Sequence, residues 1–194
     1  MEDALLLRQN RKDAAQRLSK RILDELAQLD MPRVQFSCRF EQTELTAIGI
    51  DTVAFYMSAN AGEALKQLSK VASGGELARI TLAIKNVLAE QDQVATLIFD
   101  EVDTGVSGRA AQKVAQKLRS VAKFKQVLCV THLPQLAALA NTHLLISKQE
   151  RGGRTYTTVM PLDTEGRKQE LARIIGGANI TETTLKSAEE MLCT

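Results

Sequence analysis

Four short stretches of this sequence carry side chains that could act on a phosphate. The first is Ser73-Gly74-Gly75-Glu76. Ser followed three residues later by Glu, directly before an apolar-periodic segment, is a capping box and marks a helix start. The two glycines also expose backbone N–H groups at the positive end of the helix dipole, which suits a phosphate. A plain helix start and a phosphate-binding turn both fit these residues. The second stretch ends the run Thr96-Leu97-Ile98-Phe99 with Asp100-Glu101. Paired carboxylates directly after a strand lie at its carboxyl end, where open α/β sheets bind ligands. Asp100 suits Mg²⁺, held through water, because that ion takes few carboxylates and keeps water and phosphate oxygens. Glu101 suits the polarisation of a water that attacks a terminal phosphoryl group. The bland alternative is a solvated acidic turn. Asp103-Thr104-Gly105 follows at once, as a turn and helix cap or as part of the same site. The fourth stretch, Thr131-His132, ends the next apolar run, and an imidazole there can hydrogen-bond a γ-phosphate oxygen. His143 has no comparable setting.

The elements that must hold these groups are legible from periodicity. Residues 3–30 read as one helix, with Leu7, Ala14, Leu18, Ile22, Leu26 and Leu29 forming a stripe, roughly 42 Å long. It is either an amphipathic helix packed on the domain or the end of a coiled-coil arm whose partner strand lies elsewhere. Pro32 stops it, and β-type runs follow at 34–40, 46–50 and 53–58. After the Ser73 loop comes a helix with Leu77, Ile80, Ile84, Val87 and Leu88 on one face. The apolar runs 95–99 and 126–130 read as buried parallel strands, separated by a helix near 109–122 and followed by one opened by Pro134. Residues 143–161 read as a hairpin turned at Gly152-Gly153, and two helices close the chain, near 167–175 and 183–192. Alternating strand and helix predicts an α/β fold with a largely parallel sheet flanked by helices.

Composition narrows the function classes. The 194 residues carry 25 Lys and Arg against 23 Asp and Glu, so net charge does not announce a nucleic-acid binder. Five Phe, two Tyr and no Trp argue against a stacking platform for single strands. Any DNA contact has to come from a local basic patch, of which Arg8, Arg11, Lys12, Arg17, Lys20 and Arg21 form the richest. Cys38, Cys129 and Cys193 are odd in number and widely spaced, as expected of reduced thiols in a cytoplasmic protein. No apolar stretch approaches the roughly 20 residues of a membrane helix, so no membrane contact is expected.

Taken in order, Ser73-Gly74-Gly75-Glu76, Asp100-Glu101, Asp103 and His132 resemble the motif series of the ATP-binding-cassette ATPases: signature loop, Walker B motif, D-loop and switch histidine. Within that superfamily, SKVASGGELARI (69–80), IFDEVDTGVSG (98–108), VTHLPQLA (130–137) and ELARIIGG (170–177) are similar to the RecN family of DNA-repair proteins, relatives of the structural-maintenance-of-chromosomes (SMC) ATPases. The resemblance covers nearly the whole chain. One motif is missing. The adjacent glycine pairs are 74–75, 152–153 and 176–177, and none begins G-x-x-x-x-G-K-[ST].

The resemblance implies the C-terminal lobe of an ATPase head. Residues 1–30 would end a coiled-coil arm, residues 31–194 would form the lobe, and an N-terminal lobe would supply the phosphate loop. Two heads would then sandwich ATP and Mg²⁺ as a homodimer. Ser73, Gly74 and Gly75 would close on the partner head's nucleotide. Asp100, Glu101 and His132 would serve their own. The repair family acts on double-strand breaks through non-specific DNA contact in the cytoplasm, at the nucleoid. A lobe of another SMC-type or transporter-coupling ATPase, or a structural dimerisation piece with idle hydrolytic residues, are the alternatives. The chain by itself is expected to be inactive.

Overall fold

The computed structural model describes residues 1–59, 62–70 and 74–193 and, of Arg151, the backbone alone. It opens with helix α1 (Glu2–Gln28). An antiparallel hairpin follows, β1 (Gln35–Thr46) and β2 (Gly49–Ser58), to whose second strand the short β3 (Lys66–Gln67) pairs. A 3₁₀ turn (Leu68–Lys70) precedes α2 (Gly74–Val87). Next come β4 (Thr96–Phe99), α3 (Gly108–Val121) and β5 (Gln126–Cys129), then the short α4 (Pro134–Leu139). The hairpin β6 (Leu144–Arg151) and β7 (Arg154–Pro161) and the helices α5 (Thr164–Gly176) and α6 (Glu182–Leu192) complete the chain. Among the described residues, parallel pairing is confined to β4 and β5, and the other ladders are antiparallel.

The expected strand at 46–50 straddles a turn instead. Thr46 pairs with Gly49, leaving Ala47 and Ile48 as a two-residue loop. The Thr46 hydroxyl donates to the Gly49 carbonyl at 2.9 Å and accepts from the Ile48 N–H at 3.3 Å. Gly49 takes φ 105°, a region that L side chains rarely enter. Without an Asn-Gly or Asp-Gly pair, the sequence gives no local sign of this hairpin.

Helix α1 is continuous, as its periodicity predicts, and its buried residues are Ala4, Ile22 and Leu26. Ile22, Leu26 and Leu29 are fully buried in one core with Val34, Phe36, Met57, Ile80 and Val87. Further towards the N-terminus the ties are polar. Arg8 pairs with the buried Asp51 of β2 at 2.7 Å, and Arg21 donates to the Val87 carbonyl. Leu5 and Leu6 stay exposed, so the helix keeps an uncovered apolar patch near its start. Asp30, at φ 59°, ends the helical path and is paired with Lys113 of α3.

The strands β4 and β5 depart from expectation in a way that matters. They are half-buried. Leu97 and Phe99 enter the core with Val114, Leu118 and Val121 of α3, which stand at helical spacing on one face. Ile98, by contrast, is 71% exposed, and Leu128 and Val130 lie open beside it. A short apolar run reads as covered on both faces, but here the described residues cover only one. Arg167 of α5 donates to the carbonyls of Ala138 and Ala140, satisfying the orphan acceptors at the end of α4. Asp163 caps α5 by accepting from the Gly166 N–H at 2.7 Å, so this helix starts earlier than its apolar pattern suggests.

Candidate functional site

The site begins with the register of the parallel pair. Phe99 stands opposite Cys129, and the Val130 N–H donates to the Phe99 carbonyl at 3.0 Å. Asp100-Glu101 and Thr131-His132 therefore leave adjacent strands at the same carboxyl edge. The chain turns sharply after β4. Glu101 adopts φ 58°, a left-handed conformation that few non-glycine residues take. The Asp100 carboxylate steadies it by accepting from the Glu101 N–H at 3.0 Å, and the Thr104 N–H closes the turn onto the Glu101 carbonyl. Asp100 and Glu101 are exposed, whereas Val102 and Asp103 between them and the next turn are buried.

Asp103 ties the two strand ends together. Its side chain is 3% exposed, and its Oδ2 accepts from the Thr131 hydroxyl at 2.5 Å and from the His132 N–H at 3.2 Å. The His132 Nδ1 lies 3.3 Å from the same oxygen, and the His132 side chain is 75% exposed. The sequence places Asp103 near the site but does not foresee this bond.

The start of α2 borders the same turn. A Cβ on Gly74 would overlap Glu101 Oε2, and a Cβ on Gly75 would lie 2.8 Å from the Thr104 carbonyl oxygen. These glycines let the positive end of α2 approach the acidic turn closely, and the Glu101 carboxylate sits against it. Ser73, expected to begin this loop, lies outside the described residues. Arg79, which sequence reasoning did not single out, is buried and donates to the Thr104 carbonyl at 2.7 Å. Burial pulls its guanidinium below the ordinary value, and Glu76 opposes that shift. Thus Gly74 and Gly75, expected to serve another head's nucleotide, and Glu101, expected to serve its own, adjoin one another within this chain.

Among the described residues, no cluster of three or more His, Cys, Asp or Glu could hold a metal. Asp100, one exposed oxygen ligand at a strand end, still fits Mg²⁺, which binds through one or two carboxylates together with phosphate and water. Cys129 sits beneath this edge. Burial, with Asp103 and Asp100 nearby, pushes its thiol up to about 12, so it is an inert neighbour of the site. Among the described residues, no helix is long and apolar enough to cross a membrane.

No family model matches the chain. The DNA repair protein RecN of Halalkalibacterium halodurans is 47% identical over 187 residues, which is 94% of this chain and 33% of that protein. RecN of Bacillus subtilis is 45% identical over 98% of this chain and 36% of its own length, and RecN of Vibrio cholerae 43% over 96% and 34%. The fold is similar to the Smc head domain with a coiled coil and joint from Pyrococcus yayanosii, at TM-score 0.57 and 22% identity over 79% of this chain and 28% of that one. It is also similar to a Pyrococcus furiosus Smc head with an extended coiled coil, solved bound to the C-terminal domain of ScpA. That match has TM-score 0.54 and 21% identity over 81% of this chain and 37% of that one.

Proposed function

Because the chain belongs to the RecN-type sequences, matching them along nearly its whole length while spanning about a third of theirs, we propose that it forms the C-terminal lobe of a DNA-repair ATPase head. In this reading an N-terminal lobe supplies the phosphate loop, residues 1–30 end a coiled-coil arm, and two heads close on ATP as a homodimer. The cycle acts in recombinational repair of double-strand breaks, on DNA bound without sequence preference, in the cytoplasm at the nucleoid. The observation that carries it is the convergence of Asp100, Glu101 and His132 at one strand edge, with Asp103 joining the two strand ends.

The roles follow from chemistry at that edge. Glu101 orients and polarises the attacking water, and a positioned base of this kind contributes roughly 10²–10⁴-fold to rate. Asp100 would hold Mg²⁺ through water, and the ion, when bound, would supply positive charge against the phosphates. His132 hydrogen-bonds a γ-phosphate oxygen. Ser73, Gly74 and Gly75 offer backbone and hydroxyl donors to the nucleotide of the partner head. The open face of Ile98, Leu128 and Val130 supports the need for a second lobe, since large exposed apolar patches mark interaction surfaces.

Co-expression with the N-terminal lobe of a RecN relative, followed by an ATPase assay, tests the proposal. The reconstituted head is expected to turn over ATP and the 194-residue chain alone to show none. Turnover by the lone chain that Glu101→Gln abolishes would contradict the lobe assignment. A reconstituted head indifferent to Glu101→Gln would contradict the site.

A further inference from the structure

We propose that Arg79 is the positioning residue for Glu101: by holding the Thr104 carbonyl, it keeps the acidic turn in the left-handed bend that sets the direction of the Glu101 carboxylate. The hold on the turn stands on the geometry alone, and the water activation it serves rests on the function proposed above. Among the described residues, Glu101 at φ 58° shares positive φ with only one other non-glycine residue, Asp30. Such a conformation costs free energy in an L residue and persists only where its surroundings over-determine it. Two restraints lie within the turn. Asp100 Oδ1 accepts from the Glu101 N–H at 3.0 Å, and the Thr104 N–H donates to the Glu101 carbonyl at 3.0 Å. The third comes from another element. Arg79 Nη1 of α2 donates to the Thr104 carbonyl at 2.7 Å, so Thr104 is held at its N–H by Glu101 and at its carbonyl by α2.

The tie is built into α2. Arg79 stands one turn after Gly75 on the same face, and helical side chains lean towards the N-terminus. Its Nη1 therefore lies beside Gly75, 3.3 Å from where a Cβ on that glycine would be. The bare glycine admits the guanidinium and the Thr104 carbonyl together. Stability does not explain the arginine. It is 8% exposed, and its Nε has no partner among the described residues. A buried guanidinium so sparsely paired costs more than an apolar side chain in its place. What it gains over an apolar side chain is the hold on Thr104. Gly74 and Gly75 begin the same helix, so this bond ties the element assigned to the partner head's nucleotide to the acid assigned to this head's own.

The test is NMR on the labelled 194-residue chain, with the Glu101 φ read from backbone scalar couplings. Exchange of the Val130 amide, which donates to the Phe99 carbonyl, reports the β4–β5 pair. The parent is expected at positive φ. Arg79→Met keeps an apolar stem and removes the donors, so Glu101 is expected to average towards negative φ while Val130 exchange is unchanged. A parent at negative φ, or Arg79→Met with φ held as in the parent, overturns the proposal. Should Arg79→Met also expose Val130, Arg79→Gln is read in the same way, because its amide ends short of the Nη1 position. Loss of the pair in both variants makes Arg79 a support of the core and overturns the positioning role. In a reconstituted head, Arg79→Met is expected to lower kcat by about 10²-fold with KM for ATP unchanged. Arg79→Lys, which keeps a charged donor, should recover part of that loss. Parental kcat in Arg79→Met overturns the positioning role even where Glu101 has been released. A parental head without turnover contradicts the ATPase reading instead and leaves the hold on Glu101 standing.

Discussion

The Glu101 carboxylate lies against Gly74 so closely that a Cβ on this glycine would overlap Glu101 Oε2. At Gly75 the neighbour is of another kind, since a Cβ there would meet the Thr104 carbonyl oxygen at 2.8 Å and the Thr104 Cβ at 2.9 Å. A flexible side chain can swing away, but backbone cannot. Gly75→Ala is therefore expected to cost about 1–3 kcal/mol through overpacking. Gly74→Ala should stay within about 1 kcal/mol of the parent, aided by the better helix propensity of Ala. Urea midpoints of the two variants check the asymmetry, and equal losses would contradict it.

In a reconstituted head, Glu101→Gln is expected to reduce turnover by roughly 10²–10⁴-fold while nucleotide binding persists, trapping an ATP-bound dimer. Ser73→Arg should prevent that dimer, because a bulky cation would block closure over the γ-phosphate. Light scattering with excess ATP and Mg²⁺ reads both variants. A monomeric Glu101→Gln head under those conditions would count against the sandwich.

The tie between Arg8 and Asp51 predicts acid sensitivity at the start of α1. The hydrogen bond from Arg8 holds the Asp51 carboxyl below the ordinary carboxylate range. Its contribution is complete above the unfolded value of about 3.9 and disappears as pH falls through the lower folded value. Hydrogen exchange of residues 4–12 is expected to accelerate in that window and in Asp51→Asn at neutral pH. Residues 22–29, which carry the buried Ile22, Leu26 and Leu29, should remain protected in both cases. Equal protection of residues 4–12 in parent and variant would show that apolar packing anchors this end of the helix.

Ile98 faces outward from the parallel pair, beside the exposed Leu128 and Val130. Sedimentation of the chain at increasing concentration is expected to reveal self-association, and Ile98→Lys should reduce it. The same variant should change stability by no more than about 0.5 kcal/mol, as usual for a surface position. Association that is unaffected by Ile98→Lys would move the interface to Leu5 and Leu6 on α1.

Alkylation should separate the cysteines. Cys193 is exposed, whereas burial pushes the Cys129 thiol up to about 12 and leaves almost no thiolate at pH 8. Mass spectrometry of iodoacetamide-treated protein is expected to find Cys193 modified first and Cys129 last. Comparable rates at the two positions would mean that the edge below Asp103 opens to solvent.

The sequence by itself determined the order of the chemical groups and the kind of element that carries each. Those signals are local: paired glycines before a periodic helix, paired acids after an apolar run, and a histidine after the next one. The tertiary structure decided which groups meet. Asp103 finds Thr131 and His132 about a strand, a helix and a turn later, because Phe99 pairs with Cys129 in the parallel register. Arg79 reaches the Thr104 carbonyl only because Gly75 lets α2 come close to that turn. The same limit explains β4 and β5, where a short apolar run has no periodicity to say whether one face or both are covered. It also explains α1, whose stripe requires a partner but cannot name it. The structure supplies the β1–β2 hairpin and α2 around Ile22 and Leu26, and leaves Leu5 and Leu6 uncovered. Contacts between residues far apart in the chain depend on register and on the shape of the packed whole, and no local run of residues encodes either.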